Sequence, residues 1–390
     1  MREGWGVTVE ILQGDCHEML RTLPDESVHC VVTSPPYWGL RDYGVDGQIG
    51  LEQSLGEHMA ALVEVFREVR RVLRKDGTVW INYGDAYAST PNGRSAAATK
   101  EVGNDDRTFR DKPISTIGPI YVPDPRGEDR RGNHSTLGGA PNHLTPGRVV
   151  AGGTLKPKDR MLLPARMAIA LQDDGWWIRD EIIWHKPNPM PSSVKDRTTP
   201  AHEMIYMLSK APKYYYDSAA IREPMASSSV ARLSQNVDAQ TGSARANGGV
   251  RAERPMKAVG QRANKQQQIA DNSNPNTART MGGFNERWEE TEGDREPLRQ
   301  KRSVWTVTPK GFKEAHFATF PPALIEPCIK AGCPEGGTVL DPFFGAGTTG
   351  LVCQQLKRNC IGIELNPEYV EIARRRLGLS EMSETESMLA

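Results

Sequence analysis

The stretch that most constrains this chain is "GTVLDPFFGAGTTGLVCQQLKRNCIGIEL", residues 337–365. A short apolar run ends in Asp341, three glycines follow as GxGxxG (Gly345, Gly347, Gly350), and a helical run leads to a second apolar run closed by Glu364. Strand, glycine turn, helix and strand in that order make a βαβ unit, which commits the chain to an α/β fold with a parallel sheet. Glycines let the backbone approach a ligand closely, and the helix start offers unpaired N–H groups. Glu364, nineteen residues after Gly345, sits where a carboxylate accepts hydrogen bonds from both hydroxyls of a ribose. The unit therefore points to a nucleoside-containing cofactor, either a nicotinamide dinucleotide or S-adenosylmethionine. Asp341 bears on the choice: an anion beside the loop repels a pyrophosphate and suits a cationic amino and sulfonium end.

The rest of the composition sets limits. With 390 residues there is room for one large domain plus insertions. Lys+Arg and Asp+Glu both number 49, so any nucleic-acid binding must use a local patch. Six cysteines form no CxxC pair and no Cys/His cluster with zinc spacing, so buried reduced thiols and no metal site are expected. The first fifteen residues lack the apolar core of a signal peptide, and no run approaches the ~18 apolar residues of a membrane span. The expectation is a cytoplasmic protein with no membrane contact.

Along the chain, ordered and polar blocks alternate. Residues 1–87 show strand-like "VTVEILQG", "HCVVTS" and "GTVWINYGD", and a helical pattern in "SLGEHMAALVEVFREVRRVLRKDG" that Gly77 is expected to stop. Residues 88–159 are rich in Gly, Pro, Asn and charge and read as a flexible insertion. Residues 160–217 return to a helix and two strands that continue the sheet. Residues 218–302 are polar again, with ten Lys/Arg against five Asp/Glu between 222 and 287. Composition leaves two readings open there: a solvated linker, or an element that grips phosphates. Residues 303–377 hold a helix and the βαβ unit, and 378–390 read as an acidic tail.

A second feature stands three hundred residues upstream of the glycine loop, in "VVTSPPYWG", residues 31–39. The tetrapeptide Ser34-Pro35-Pro36-Tyr37 follows a strand, at the carboxyl end where open α/β sheets bind ligands. The prolines have fixed φ and no N–H, so the carbonyls here are held rigidly outside the ladder. Ser34 adds a hydroxyl acceptor, and Tyr37, with Trp38 beside it, a flat face. Two acceptors beside an aromatic face suit a planar molecule with an exocyclic NH2, whose lone pair they would turn away from its ring.

"VVTSPPY" followed by "DPFFGAGTTG" resembles the amino-methyltransferases of DNA, which act on cytosine N4 or adenine N6. Tetrapeptide first and cofactor loop last is similar to the β group of that family, a circular permutation of the Rossmann-like methyltransferase fold; here it carries two long polar insertions. The resemblance spans roughly 7–87, 160–217 and 303–377. It implies catalytic roles for Ser34, Pro35, Pro36 and Tyr37. It implies S-adenosylmethionine contacts for Asp341, Phe343, Gly345, Gly347, Thr348 and Glu364. "LQGDCHEML" resembles the segment where an aspartate meets the cofactor's adenine amine, here Asp15. "HFATFPPALIE" resembles the segment over the methionine end, which adds His316 and Phe320.

The resemblance further implies double-stranded DNA as substrate, base flipping, a homodimer, and a cognate restriction endonuclease or none. Serine at the first tetrapeptide position leans to cytosine N4, with adenine N6 as the alternative. A NAD-dependent oxidoreductase is the distant rival and leaves Ser-Pro-Pro-Tyr unexplained. Carbon methylation of cytosine needs an attacking thiolate, and Cys328 reads as helix packing. His185 in "WHKPNPMP" reads as rim structure, and "RDYG" at 41–44 as a polar turn or a DNA contact.

Overall fold

The computed structural model describes residues 7–39, 45, 47–88, 155–228, 298–309 and 320–379, and the backbone of 120–122 and 148–150. The chain forms two compact units, residues 1–220 with 302–390, and residues 221–301.

The first unit is built on an eight-stranded sheet. Its strands are β1 (Val9–Gln13), β2 (Val28–Thr33), β3 (Leu73–Tyr83), β6 (Trp177–His185), β7 (His202–Ser209), β10 (Val304–Thr306), β11 (Thr338–Asp341) and β12 (Asn359–Glu364), in the order β1-β12-β11-β2-β3-β7-β6-β10. Every neighbouring pair is parallel except those involving β7, which runs against both β3 and β6. Among its described residues the helices are α1 (Cys16–Thr22), α2 (Leu55–Val72), α3 (Leu163–Asp173), α4 (Pro322–Gly332), α5 (Thr348–Gln355) and α6 (Pro367–Leu377).

The layout follows from local signals and burial. In α2, Ser54 and Glu57 cap each other reciprocally, and Leu62, Phe66 and Val69 bury one face. Asn366 caps α6, Pro367 opens it, and Gly378 ends it at φ +67°. One expected boundary is corrected. Gly77 does not stop α2, because the chain is already extended at Leu73 and residues 73–76 belong to β3. Leu73 is fully buried and paired with Val28, so packing overrides the helical pattern of the basic run. Gly77 serves close packing instead: a Cβ there would lie 2.5 Å from Leu73 Cδ1.

The topology places the site. From β11 the chain crosses by α5 to β12, toward one edge; from neighbouring β2 it crosses by α2 to β3, toward the other. The crevice between β11 and β2 is thus the switch point where open sheets bind ligands. The carboxyl ends of β1, β2, β3, β11 and β12 share one rim with the amino end of antiparallel β7. The two chain ends meet in this sheet, where β1 pairs in parallel with β12 from Val9↔Cys360 to Gln13↔Glu364. Tetrapeptide and glycine loop therefore stand on adjacent strands despite their separation in sequence.

The 88–159 segment leaves and returns through a short ladder, with Ala88 N donating to Asp159 O (2.9 Å) and Lys158 N to Ala88 O (2.8 Å). Within it, β4 (Ile120–Val122) pairs antiparallel with β5 (Arg148–Val150), regular structure that the composition did not announce. In the second unit, β8 (Glu223–Pro224) pairs antiparallel with β9 (Leu298–Arg299), fastened by Arg299 Nε donating to Glu223 Oε1 at 3.0 Å. Residues 229–297 lie outside the described residues. Among those described, no helix is long and apolar enough to cross a membrane.

Candidate active site

A pocket opens at the rim over β1, β12, β11 and β2. Asp15, Ser34, Phe343, Gly345 and Glu364 stand on its wall, with Asn366 and Tyr369 of the α6 start. Glu364 is placed from both sides: Gly345 N donates to its Oε2 (2.7 Å) and Asn366 N to its Oε1 (2.8 Å). A carboxylate has about four acceptor sites, so capacity remains for hydroxyls in the pocket. Burial foremost, and the charge of Asp341, raise its pKa; the Asn366 and Gly345 amides pull the other way. Asp15 caps α1 through Oδ1, which accepts from His17 N (2.9 Å) and Glu18 N (3.2 Å). Its Oδ2 has no donor among the described residues. Gly345 has φ +53°, and a Cβ built on it would meet nothing within 4 Å, so the backbone itself forms the wall there.

The charge of this wall decides between the two cofactor classes. It carries two carboxylates, Asp15 and Glu364, and no lysine or arginine among its described residues. A pyrophosphate would meet two like charges and no cation, whereas a nucleoside bearing a sulfonium and an ammonium group would meet charges of opposite sign. The residues therefore fit S-adenosylmethionine.

Several expected contacts stand behind the wall. Asp341 is 1% exposed and held from both oxygens: Oδ1 accepts from Thr33 Oγ1 (2.7 Å) and Phe343 N (3.1 Å), Oδ2 from Thr349 Oγ1 (2.6 Å). It ties the end of β2 to the glycine loop from behind the pocket wall. Burial pushes its pKa up to about 6, against the pull of those three hydrogen bonds. Gly347 begins α5 at φ +75°, and Thr348 is buried, accepting from Arg376 Nη1 at 3.0 Å. Both shape the loop from behind. Phe320 is half-buried just ahead of α4 and off the pocket wall, and His316 lies outside the described residues.

The tetrapeptide continues from β2, whose ladder with β3 ends at Thr33↔Ile81. Ser34 is half-buried on the pocket wall, and no described residue donates to the Pro35 carbonyl. Pro36 packs under Gly50. Tyr37 is locked: its ring meets Tyr83 edge-on at 5.2 Å between centroids, and a Cβ on Gly84 would lie 2.4 Å from its Cε2. Its hydroxyl donates to Glu203 Oε2 at 3.2 Å. Burial first, then the Glu203 charge, hold the phenol well above its ordinary pKa, while the Ser34 hydroxyl pulls the other way. Trp38 offers no free face. It is 1% exposed, stacks on His58 and donates to Glu52 O at 2.9 Å, so the second flat face expected here is core. His185 closes β6 against Thr306 Oγ1 (3.1 Å), and "RDYG" lies outside the described residues.

A model of the DNA methylase family matches residues 28–375, nearly the whole of this architecture. The chain belongs to that family, the amino-methyltransferases of DNA. Type II methyltransferase M.Cfr9I of Citrobacter freundii is 40% identical over 367 residues, covering 94% of this chain and 87% of the relative. Type II methyltransferase M.SmaI of Serratia marcescens is 36% identical over 371 residues, covering 94% and 90%. Among solved structures, PvuII DNA methyltransferase (cytosine-N4-specific) aligns with TM-score 0.52 at 16% identity, covering 98% of this chain and 91% of that one, a likeness of fold. The family uses S-adenosylmethionine, in agreement with the charge of the pocket wall, and the dehydrogenase reading is set aside.

For a DNA methyltransferase the thiols matter by exclusion. Cys16 borders the pocket, but burial and the Asp15 charge push it up to about 12, so it is a thiol and no ring nucleophile. Cys328 is buried in α4. Sequence reasoning missed Asn366 and Tyr369, although Asn-Pro after the Glu364 strand is a helix-start signal. It also missed Glu203, Asn82 and Lys186 around Tyr37, which no local motif marks.

Proposed function

We propose that this DNA methyltransferase modifies the exocyclic N4 of a cytosine flipped out of double-stranded DNA. The observation that carries the proposal is the place of Ser34: it forms part of the cofactor pocket wall and opens the tetrapeptide that ends in the locked Tyr37 ring. S-adenosylmethionine supplies an electrophilic methyl group. Glu364 would hold its ribose hydroxyls, Asp15 its adenine amine, and Phe343 would line the same slot. Asp341 would act on the cationic end through its field alone.

On the substrate side, the Ser34 hydroxyl and the Pro35 carbonyl accept from the NH2 of the target base. Both hydrogen bonds turn the nitrogen lone pair out of conjugation with the ring, toward the cofactor. Tyr37 provides the stacking face for the flipped base. Positioning and orientation supply most of the rate, and no covalent bond between enzyme and base is needed because the amine is the nucleophile.

A small neutral hydroxyl at the head of the tetrapeptide favours cytosine, as the resemblance implies for serine. Residues 218–302, which carry the basic excess, are proposed to read the target sequence. The names of the relatives, Type II methyltransferases, support a place beside a restriction endonuclease of the same specificity. Ser34→Ala tests the assignment: methyl transfer to DNA should fall at least ~100-fold while cofactor affinity stays within about twofold of wild type. Near-normal turnover in that variant would remove Ser34 from the mechanism.

A further inference from the structure

Glu203, the second residue of β7, gathers donors from three other segments of the first unit. Its Oε2 accepts from the Tyr37 hydroxyl (3.2 Å) and from Asn82 Nδ2 (3.3 Å) of β3; its Oε1 pairs with the Lys186 ammonium just beyond β6. Lys186 is fixed in turn, with its Nζ 4.2 Å from the centroid of the Trp184 ring and its N–H donating to Ala201 O at 2.7 Å. Asn82 also donates to Met204 O (3.2 Å). The carboxylate is half-buried, its side chain 21% exposed, at the rim where the tetrapeptide emerges. An ion pair that merely joined β6 to β7 would use one oxygen. Here the second oxygen is given to the ring on which the target base would stack.

We propose that Glu203 is a positioning residue for methyl transfer, which holds Tyr37 by its hydroxyl and so fixes the stacking platform beside Ser34. The proposal rests on the reading of Ser34-Pro35-Pro36-Tyr37 as the base site. Tyr83 then stands against the ring and Gly84 beneath it, while its hydroxyl meets Ser34 and the Glu203 carboxylate. Tyr83 and Gly84 fix where the ring plane lies; the charged Glu203 acceptor stops the ring from sliding within that plane. Lys186 and Asn82 keep the carboxylate from turning to solvent.

The test is a double-mutant cycle on single-turnover methylation of DNA, with binding of S-adenosylmethionine and of duplex DNA measured alongside. Glu203→Gln keeps the shape and removes the charge, and should slow transfer roughly 10- to 100-fold while both affinities stay within about twofold. Tyr37→Phe removes the hydroxyl and keeps the ring, and should show a loss of similar size. Combining the two should add less than about a further twofold, because the Glu203 charge acts on transfer through the Tyr37 hydroxyl, and once that hydroxyl is gone the charge has nothing left to hold. Losses that multiply would make Glu203 a structural residue with no action through Tyr37, and would overturn the proposal. Should Glu203→Gln fail to fold, Glu203→Asp, which draws the carboxylate back from the Tyr37 hydroxyl, takes its place in the cycle: full turnover in it overturns the proposal, and a slowing that disappears in the Tyr37→Phe background supports it. A wild-type enzyme that leaves exocyclic amines unmethylated would overturn the base-site reading itself, an outcome distinct from wild-type activity that both variants retain.

Discussion

At the scale of single residues, Asp341 shows how the loop is held and at what cost. Its pKa, raised to about 6 by burial, means that the folded state prefers the neutral acid, while the unfolded chain ionises near the ordinary value of 3.8. Its contribution to stability is therefore fullest below pH ~4 and declines as pH rises through about 6. Asp341→Asn keeps acceptors and donors for the same cluster without the charge. The variant should gain up to about 3 kcal/mol over wild type at pH 8, with the difference vanishing near pH 4, as read by denaturant unfolding across pH. It should also bind S-adenosylmethionine more weakly, because the field of the lost anion favours a sulfonium. Gly84 offers a second residue-scale test. Gly84→Ala puts a methyl into the Tyr37 ring, so transfer should fall about 10-fold or more with cofactor affinity unchanged, measured by single-turnover kinetics and calorimetry. The residues legible in the sequence were those whose chemistry sits in a contiguous pattern: Ser34 through Tyr37, Gly345 and Glu364. Glu203 was not legible because its link to Tyr37 spans 166 positions, and only the sheet brings the two together.

At the scale of elements, the glycine loop is the part on which the proposed cofactor site turns. Gly345 combines a left-handed φ of +53° with an open space where a side chain would project into the pocket. Gly345→Ala therefore meets two penalties: about 1 kcal/mol of backbone strain and a methyl in the nucleoside slot. Cofactor affinity should fall roughly 10-fold or more by calorimetry, with only a small drop in melting temperature. Glu364→Ala should lose a comparable amount, because a charge-assisted hydrogen bond is worth about 1.5–3 kcal/mol. Unchanged affinity in that variant would contradict the ribose assignment. Elements with strong periodicity and caps were legible, as in α2 and the βαβ unit around α5. The boundary between α2 and β3 was not, because the basic run after Val72 has helical propensity and only the burial of Leu73 in the sheet makes it extended.

At the scale of the whole molecule, the pairing of β1 with β12 brings the first and last parts of the chain into one sheet, with the switch-point crevice between β11 and β2. That the βαβ unit demanded a parallel sheet was legible; that β7 would enter it antiparallel was not, since strand direction is set by connections and leaves no mark in a strand's own residues. The second unit provides the matching prediction. Replacing residues 229–297 with a short Gly/Ser linker between β8 and β9 should leave S-adenosylmethionine affinity within about twofold while abolishing sequence-selective methylation. Retained site selectivity would show that the target is read elsewhere.

The most direct measurement of the central claim is nucleoside mass spectrometry of duplex DNA incubated with the enzyme and methyl-labelled S-adenosylmethionine. The proposed base site predicts label in N4-methylcytosine, since Ser34-Pro35-Pro36-Tyr37 is read there as holding an exocyclic amine and serine at its head as favouring cytosine. Label in N6-methyladenine would contradict the choice of base, and label in 5-methylcytosine, or none in DNA, would contradict amine methylation at Ser34 altogether.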